Sequence, residues 1–289
     1  MIILVTGLLP FESGKTSFVS ELIQTLSEVG IEATPFKPIG GHNAWYQYET
    51  LLNSIKLKCL VGEDAYKLAK MVNRIDEVDL LSPIDILLAP PDPMKHLESM
   101  HYLMDVYRSM FKQAVMLRTT LFLNGKACTK HYLIEDNYDN AIQTLKSDID
   151  ALIEVIGDVN NINYDDFMNK ILDPSLYNEV DKILRYLISR DKNVIIESFN
   201  DAALPIPKAI NSDYVIIVSP GRVFLYRGEE YARAASVLEE YRSPLSIKTQ
   251  TIMPLCRPLA IIPWKPKSKE AIKPSEAANQ VAKIILRPR

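Results

Sequence analysis

Residues 1–17 read MIILVTGLLPFESGKTS, and this stretch decides the fold. The apolar run from Ile2 to Thr6 predicts a strand that is covered on both faces of a parallel sheet. From Lys15 to Val29 apolar side chains recur at helical spacing, and Gly30 follows as a capping glycine. The sequence therefore predicts a strand, a glycine-containing loop and a helix in direct succession.

The loop between this strand and helix has the composition of a phosphate-binding P-loop. Backbone N–H groups and the positive end of the helix dipole would face an anion there, Lys15 would contact the β and γ phosphates of a nucleotide, and the Thr16 hydroxyl would bind Mg²⁺. Leu9 stands where the common pattern has glycine, which leaves open a helix start with a chance Lys-Thr pair. The predicted nucleotide-binding residues are Gly7, Glu12, Ser13, Gly14, Lys15, Thr16 and Ser17.

Length and composition describe a globular chain of 289 residues with 47% hydrophobic and 24% charged residues. A net charge of −3 makes a general nucleic-acid-binding surface unexpected. The three cysteines are dispersed and form no CxxC pair, and no apolar run reaches the length of about eighteen residues that predicts a membrane span. We therefore expect a cytoplasmic protein that acts on small molecules and not at a membrane.

Sequence motifs narrow the chemistry further. Neither a GxSxG nucleophile elbow nor a GxGxxG fingerprint is present, so acyl-enzyme hydrolysis and dinucleotide chemistry have no support. A guanine-reading Asn-Lys-x-Asp motif is also absent, which favours ATP over GTP. His96 and His101 are five residues apart and would point to different faces of a helix, so a zinc site is not predicted.

Later patterns extend the opening into an α/β core of the P-loop NTPase type, a parallel sheet flanked by helices. We assign residues 1–93 and 170–289 to this nucleotide-binding core. The predicted strands are Ile31 to Phe36, Ile84 to Leu88, Asn193 to Ile196, Tyr214 to Val218 and Leu259 to Ile262, and the later helices are Leu176 to Arg190, Glu229 to Tyr241 and Ser275 to Ile285.

Residues 94–169 lack the alternation of strands and helices and are predicted to be a mainly helical insertion, which would serve as a substrate or partner element. Asn124-Gly125 lies between two β-forming runs, Val115 to Leu123 and Lys126 to Ile134, and predicts a β-hairpin. A helix with one apolar face is predicted by Ile142, Leu145, Ile149, Leu152 and Ile156, and packing explains this face better than a partner does.

Several landmarks resemble the dethiobiotin synthetase-like branch of P-loop proteins, which includes the cobyrinic acid amide synthetases. The chain also resembles a set of predicted P-loop ATPases with a GLLP-x-x-SGKT loop and a Lys-Pro-x-x-Gly-His-Asn segment. The resemblance implies ATP, Mg²⁺ and a possible homodimer, and it does not extend to the insertion. The landmarks are Thr6-Gly7, Gly14-Lys15-Thr16, Lys37-Pro38-Ile39-Gly40-Gly41, Asp64-Ala65, the proline-rich segment from Pro83 to Pro93, and Ile195-Ile196-Glu197-Ser198.

Two acidic residues outside the loop are predicted to bind the metal ion. Glu197 follows an apolar run at the carboxyl end of a strand, where open α/β sheets bind ligands. Asp64 would complete the shell, because Mg²⁺ usually takes one or two carboxylates beside phosphate and water oxygens. As alternatives to metal binding, Glu197 would be an ordinary solvated residue at a strand end, and Asp64 an ordinary charge at a helix N-terminus. Glu12 is unusual inside a phosphate loop, since a carboxylate near a triphosphate needs an offsetting cation.

The substrate-binding prediction starts from Lys37, at the end of the second predicted strand. Its charge would contact the γ phosphate or an acceptor carboxylate, and so stabilise the charge that develops during phosphoryl transfer. Lys37 is followed by a glycine-containing loop that we expect to be exposed. Polar residues are common in such loops, so their presence does not by itself indicate a function. The predicted substrate residues are Lys37, Gly41, His42 and Asn43.

These features favour an ATP-dependent ligase or kinase that transfers the γ-phosphoryl group to a small acceptor, a carboxylate or carbamate, with Lys15, Lys37 and Glu197 as catalytic residues. The alternative is a regulatory ATPase of the partition or metallochaperone kind that switches a dimer between partners. Many such proteins have a second lysine early in the loop, where this chain has Pro10. A nucleotide-binding module without turnover is the third possibility.

Overall fold

The computed structural model describes residues 1–123, 125–239, 247–265 and 274–287. The chain divides into two compact units: unit 1 is Met1–Pro38 with Asp181–Arg289, and unit 2 is Ile39–Val180. The strands are β1 (Ile2–Gly7), β2 (Thr34–Phe36), β3 (Ile39–Asn43), β4 (Ile84–Leu88), β5 (Ala114–Leu123), β6 (Lys126–Ile134), β7 (Val159–Ile162), β8 (Val194–Glu197), β9 (Tyr214–Ser219), β10 (Arg222–Arg227) and β11 (Ala260–Pro263).

The helices occupy most of the chain between these strands, and one of them, α9, contains the second boundary between the units. They are α1 (Lys15–Glu28), α2 (Glu49–Leu57), α3 (Glu63–Met71), α4 (Val78–Leu81), α5 (Met100–Arg108), α6 (Glu135–Asn140), α7 (Gln143–Ile156), α8 (Tyr164–Leu172), α9 (Pro174–Asp191), α10 (Gly228–Glu239), α11 (Thr249–Ile252) and α12 (Glu276–Ile285). The chain is thus α/β with mixed sheets.

Unit 1 is built on a sheet with the strand order β11-β10-β9-β1-β8-β2 in the described residues. Strands β2, β8, β1 and β9 are parallel, as predicted. The prediction of a wholly parallel sheet is wrong at the other edge, because β10 is antiparallel to β9 and β11 is antiparallel to β10. The cause is a tight turn after β9, in which Gly221 has φ +82° and reverses the chain.

Apolar side chains from α1 form part of the core of unit 1. Phe18, Leu22 and Leu26 are fully buried, and Val281 of α12 is buried too. Each such side chain contributes about 1.5–3 kcal/mol when it is removed from water. Helices α1 and α12 contact one another, so residues near both ends of the chain share this core. The helix predicted from Lys15 is confirmed and ends at Glu28.

Unit 2 has its own sheet, with the strand order β3-β4-β5-β6-β7 in the part of the chain that the structure describes. The predicted hairpin is confirmed as β5 and β6, and Gly125 has φ +79°, whereas Asn124 lies outside the described residues. Helix α7 buries Leu145, Ile149 and Leu152 in a shared apolar core, so its predicted apolar face serves packing.

The placement of Ile84–Leu88 corrects the predicted organisation of the chain. This segment is a strand, but it pairs with β3 and β5 and not with the sheet of unit 1. Its backbone N–H and C=O groups are therefore satisfied inside unit 2. The compact units divide at Pro38 and Asp181, and residues 94–169 contribute helices α5 to α8 and the β5–β6 hairpin to unit 2.

Candidate functional site

The β1–α1 loop, residues 8–14, lies at the carboxyl end of β1 and leads directly into helix α1. Leu8 N donates a hydrogen bond to Val218 O at 2.9 Å, which ties the start of the loop to β9. Gly14 has φ +87°, a left-handed conformation that glycine adopts without strain. Gly14, the residue before α1, has no side chain and makes no side-chain cap to the first turn. A helix start of this kind suits an anion, because its backbone N–H groups point toward the loop.

Lys15 is buried, and its side chain folds back over the loop. Its ammonium group donates to the Asn200 carbonyl at 2.8 Å and to Ser13 Oγ at 3.3 Å. A Cβ on Gly7 would lie 2.3 Å from Ser13 Oγ and 2.8 Å from Lys15 Nζ, so residue 7 must be glycine for this arrangement. Gly7 thus has a structural role in the loop, although the common P-loop pattern has its first glycine at the position of Leu9.

Glu197, the last residue of β8, bonds with the start of α1 and with the residue that follows β2. Its Oε1 accepts a hydrogen bond from Thr16 Oγ1 at 2.8 Å and one from Lys37 Nζ at 2.6 Å. The register explains this meeting, because Phe36 pairs with Ile196 and so the next residues of β2 and β8 lie side by side. The structure thus brings three of the predicted site residues together: Thr16, Lys37 and Glu197.

The second carboxylate oxygen of Glu197 is buried and has no hydrogen-bond partner among the described residues. A buried anionic oxygen without a partner is costly unless a cation or a donor satisfies it. Together with the Thr16 hydroxyl, it offers the hard oxygen ligands that Mg²⁺ prefers. The described residues contain no cluster of three or more His, Cys, Asp or Glu side chains suited to a metal. The residues therefore fit an ion that takes its remaining ligands from phosphate and water.

Two neighbours of the loop were not predicted from the sequence. Asn200 contributes its backbone carbonyl to Lys15, which its side-chain identity does not reveal. Trp264 lies against Gly14, since a Cβ there would be 2.6 Å from the indole ring, and Trp264 also packs edge-on against Phe18 at a centroid distance of 5.6 Å. Its Nε1 donates to Glu21 at 3.2 Å. Trp264 could have been noticed in the sequence, because it is an isolated tryptophan beside the last predicted strand.

The remaining predicted loop residues differ in accessibility. Ser13 is buried and Ser17 is half-buried, whereas Glu12 is exposed and has φ +52°. The exposed carboxylate of Glu12 makes no hydrogen bond with the described residues. Its predicted contact with nucleotide stays a prediction.

The predicted substrate and metal residues Gly41, His42, Asn43 and Asp64 belong to unit 2. The expectation of an exposed loop at His42 is wrong, because this residue lies on β3 and is 2% exposed. Asp64 lies in the first turn of α3, where its charge acts on His42. Their predicted roles as ligands of substrate and metal remain predictions.

His42 belongs to a buried polar cluster that also contains Asp85 and Arg118. Desolvation lowers the pKa of His42, and Arg118 lowers it further, while Asp85 and Asp64 oppose this change. Gly62 N donates to Asp85 Oδ2 at 2.6 Å, and Arg118 Nη2 donates to the Ser82 carbonyl at 2.6 Å. The sequence analysis did not identify Asp85 or Arg118, although each is a charged residue within an apolar strand and could have been noticed for that reason.

The cluster has the order hydroxyl, imidazole and carboxylate, because His42 Nδ1 is 2.7 Å from Thr50 Oγ1 and His42 Nε2 is 3.7 Å from Asp85 Oδ1. It is not suited to nucleophilic catalysis. Thr50 is 1% exposed, and its hydroxyl donates to the Gln47 carbonyl. A substrate cannot reach this oxygen, so the cluster is structural.

In the part of the chain that the structure describes, no helix combines the length and apolar character needed to cross a bilayer. Comparison with family models, with curated proteins and with solved structures gives no match to this chain. The chemistry of the residues around the β1–α1 loop therefore carries the functional conclusion.

Proposed function

We propose that this chain is a P-loop ATPase that binds Mg-ATP at the β1–α1 loop and transfers the γ-phosphoryl group to a small acceptor, a carboxylate or carbamate. The observation that carries the proposal is the convergence of Thr16 and Lys37 on one oxygen of Glu197, beside Lys15. Cations and an uncapped helix start at the carboxyl ends of parallel strands form a suitable environment for a triphosphate.

Lys15 is the proposed phosphate-binding cation. Its bonds to the Asn200 carbonyl and Ser13 hydroxyl hold the ammonium group over the loop, and phosphate oxygens are stronger acceptors that can replace both. The first-turn N–H groups of α1 add neutral donors for the same anion. The loop thereby provides both charge and directed hydrogen bonds.

Thr16 and Glu197 are the proposed metal-binding residues. Mg²⁺, when bound, neutralises phosphate charge and orients the triphosphate. Thr16 would exchange its bond to Glu197 for the ion, and Glu197 would use the oxygen that has no partner.

Lys37 is the proposed residue that stabilises the charge of the transferred group. The new bond forms between an acceptor oxygen and the γ phosphorus, while the bond to the bridging oxygen breaks and ADP leaves with that electron pair. Negative charge is redistributed in this step, and a buried cation at the strand end stabilises it more than water does.

Nucleotide binding is tested by calorimetry with Mg-ATP and by fluorescence. The chain has two tryptophans, Trp45 and Trp264, so a Trp45→Phe variant retains one emitter beside the loop. We expect its emission to change on addition of Mg-ATP. Lys15→Ala should abolish both signals, because backbone amides alone do not replace the lysine charge. Normal ATP binding and phosphate release by Lys15→Ala would show that the loop is misassigned.

Glu197→Gln separates binding from turnover. The amide keeps the size of the side chain but loses the charge, so ATP affinity should stay within about tenfold, or roughly 1.4 kcal/mol. Turnover should fall much further, because metal geometry matters chiefly in the transition state. An unchanged rate across a Mg²⁺ titration would remove Glu197 from the site. A regulatory ATPase would instead hydrolyse ATP without stimulation by any small acceptor.

A further inference from the structure

The buried polar cluster of unit 2 contains several side-chain atoms that have no hydrogen-bond partner within the described residues. Two are the donors Nε and Nη1 of Arg118. The other three, which lie close together, are His42 Nε2, Ser82 Oγ and Asp85 Oδ1. Their residues are 2%, 0% and 0% exposed, so bulk solvent does not satisfy them. Buried polar atoms in folded proteins are nearly always paired with protein or with ordered water.

Hydrogen-bond donors fix the tautomer of His42. The Thr50 hydroxyl donates its only proton to the Gln47 carbonyl at 2.7 Å, so its oxygen must accept from His42 Nδ1, which is also 2.7 Å away. The neutral ring therefore carries its proton on Nδ1. Nε2 is left as an acceptor that faces another acceptor, Asp85 Oδ1, across 3.7 Å.

Two glycines lie directly against these atoms. A Cβ on Gly40 would lie 2.9 Å from Asp85 Oδ1 and 3.5 Å from Ser82 Oγ. A Cβ on Gly62 would lie 3.5 Å from the same carboxylate oxygen and 3.3 Å from the His42 ring. The backbones of both glycines thus border the unpartnered atoms, and a side chain on Gly40 would come too close to Asp85.

We propose that a single buried water molecule binds between Gly40 and Gly62. Its two protons would be donated to His42 Nε2 and Asp85 Oδ1, and its oxygen would accept from the Ser82 hydroxyl. Three hydrogen bonds are typical of a buried structural water. A cation is disfavoured, because Arg118 Nη2 already lies 3.8 Å from Asp85 Oδ2 and a second positive charge would repel it.

A crystal structure of the full chain near pH 7.5 tests the proposal. We expect one density peak within hydrogen-bond distance of all three atoms, in crystals grown with or without ammonium salts. Nitrogen NMR of the histidine rings should give a neutral His42 with its proton on Nδ1. A peak that requires ammonium overturns the assignment to water. So does a protonated His42 whose Nε2 bonds directly to Asp85.

Glycine variants provide a matched test of the space. Gly40→Ala would place a methyl group against Asp85 Oδ1, whereas a Cβ on Gly41 would approach no atom closer than 3.9 Å. We expect Gly40→Ala to lower Tm by several degrees relative to Gly41→Ala and to remove the density peak. Equal Tm values with the peak retained in both variants would contradict the site. The NMR measurement on the parent chain decides the matter if Gly40→Ala does not fold.

Discussion

Glu197 in unit 1 and Asp85 in unit 2 are both fully buried carboxylates on β-strands, yet their partners differ. Glu197 binds Lys37 and Thr16 through side chains alone, at 2.6 and 2.8 Å, beside a loop with exposed residues. Asp85 is held by the backbone N–H of Gly62 at 2.6 Å, and its cation stays 3.8 Å away. Side-chain partners at a strand end can be exchanged for a ligand. Backbone-anchored partners inside a sheet maintain the fold.

The largest effect is expected in unit 2. Arg118→Met leaves Asp85 as a buried charge without its cation and should reduce the free energy of unfolding by about 3–5 kcal/mol. Denaturant unfolding measures this loss. Arg108→Met is the control, because Arg108 pairs with Asp105 on the surface, where such pairs contribute about 0–1 kcal/mol. Equal losses in the two variants would contradict the structural role of the cluster.

A second effect, on turnover, is expected for Lys37→Ala, and its free energy of unfolding is measured alongside because the substitution also leaves buried Glu197 without its cation. The variant should keep its ATP affinity but lose acceptor-stimulated turnover by about a hundredfold, or roughly 2.7 kcal/mol of transition-state stabilisation. Steady-state kinetics with an identified acceptor provides the measurement, and Lys208→Ala serves as a control on another lysine of unit 1. If the parent and Lys37→Ala respond equally to the acceptor, Lys37 has only a structural role.

The effect that is smallest per step of one pH unit is a pH dependence of stability from His131 in unit 2. Desolvation, assisted by Arg118, lowers the pKa of His131 from 6.5 to about 4. Between these values the unfolded chain binds more protons than the folded chain, so stability falls as the pH falls through this window. The slope should approach about 1.4 kcal/mol per pH unit.

Urea unfolding between pH 6.5 and pH 4 measures this slope against a His131→Gln variant. The Gln amide oxygen can accept the hydrogen bond that Leu60 N donates to His131 Nε2 at 3.2 Å, so the variant keeps the contact without the titration. We expect the parent to lose stability relative to the variant as the pH falls. A difference independent of pH would show that His131 is protonated in the folded state.

The sequence predicted unit 1 well because its signals are local. The apolar run of β1 and the helical spacing after Lys15 both follow from contiguous residues, and the strand ends at Lys37 and Glu197 could be read in the same way. Their meeting was also predictable, since the carboxyl ends of neighbouring parallel strands share one edge of a sheet. Strand β10 was not predicted, because no residue before the turn at Gly221 indicates that the chain reverses into an antiparallel strand.

Unit 2 was predicted less well because its pairing is non-local. Strand β3 contains Gly40 and Gly41, which are uncommon in strands, and the segment was therefore assigned to a loop. Its parallel pairing with Ile84–Leu88 joins segments separated by α2, α3 and α4, and it could not be read from either segment alone. The buried polar cluster depends on that pairing, so the exposed position expected for His42 was wrong.

The position of β1 also has a consequence for biosynthesis. This first strand forms its ladders with β8 and β9, so Ile3 pairs with Ile195 and Tyr214. During translation, the amino-terminal strand leaves the ribosome long before its partners exist, while all of unit 2 is made in between. Strands that pair over such long separations assemble slowly and are exposed meanwhile. Strand β1 therefore stays unpaired while all of unit 2 is made, which gives a chaperone a long opportunity to act on it.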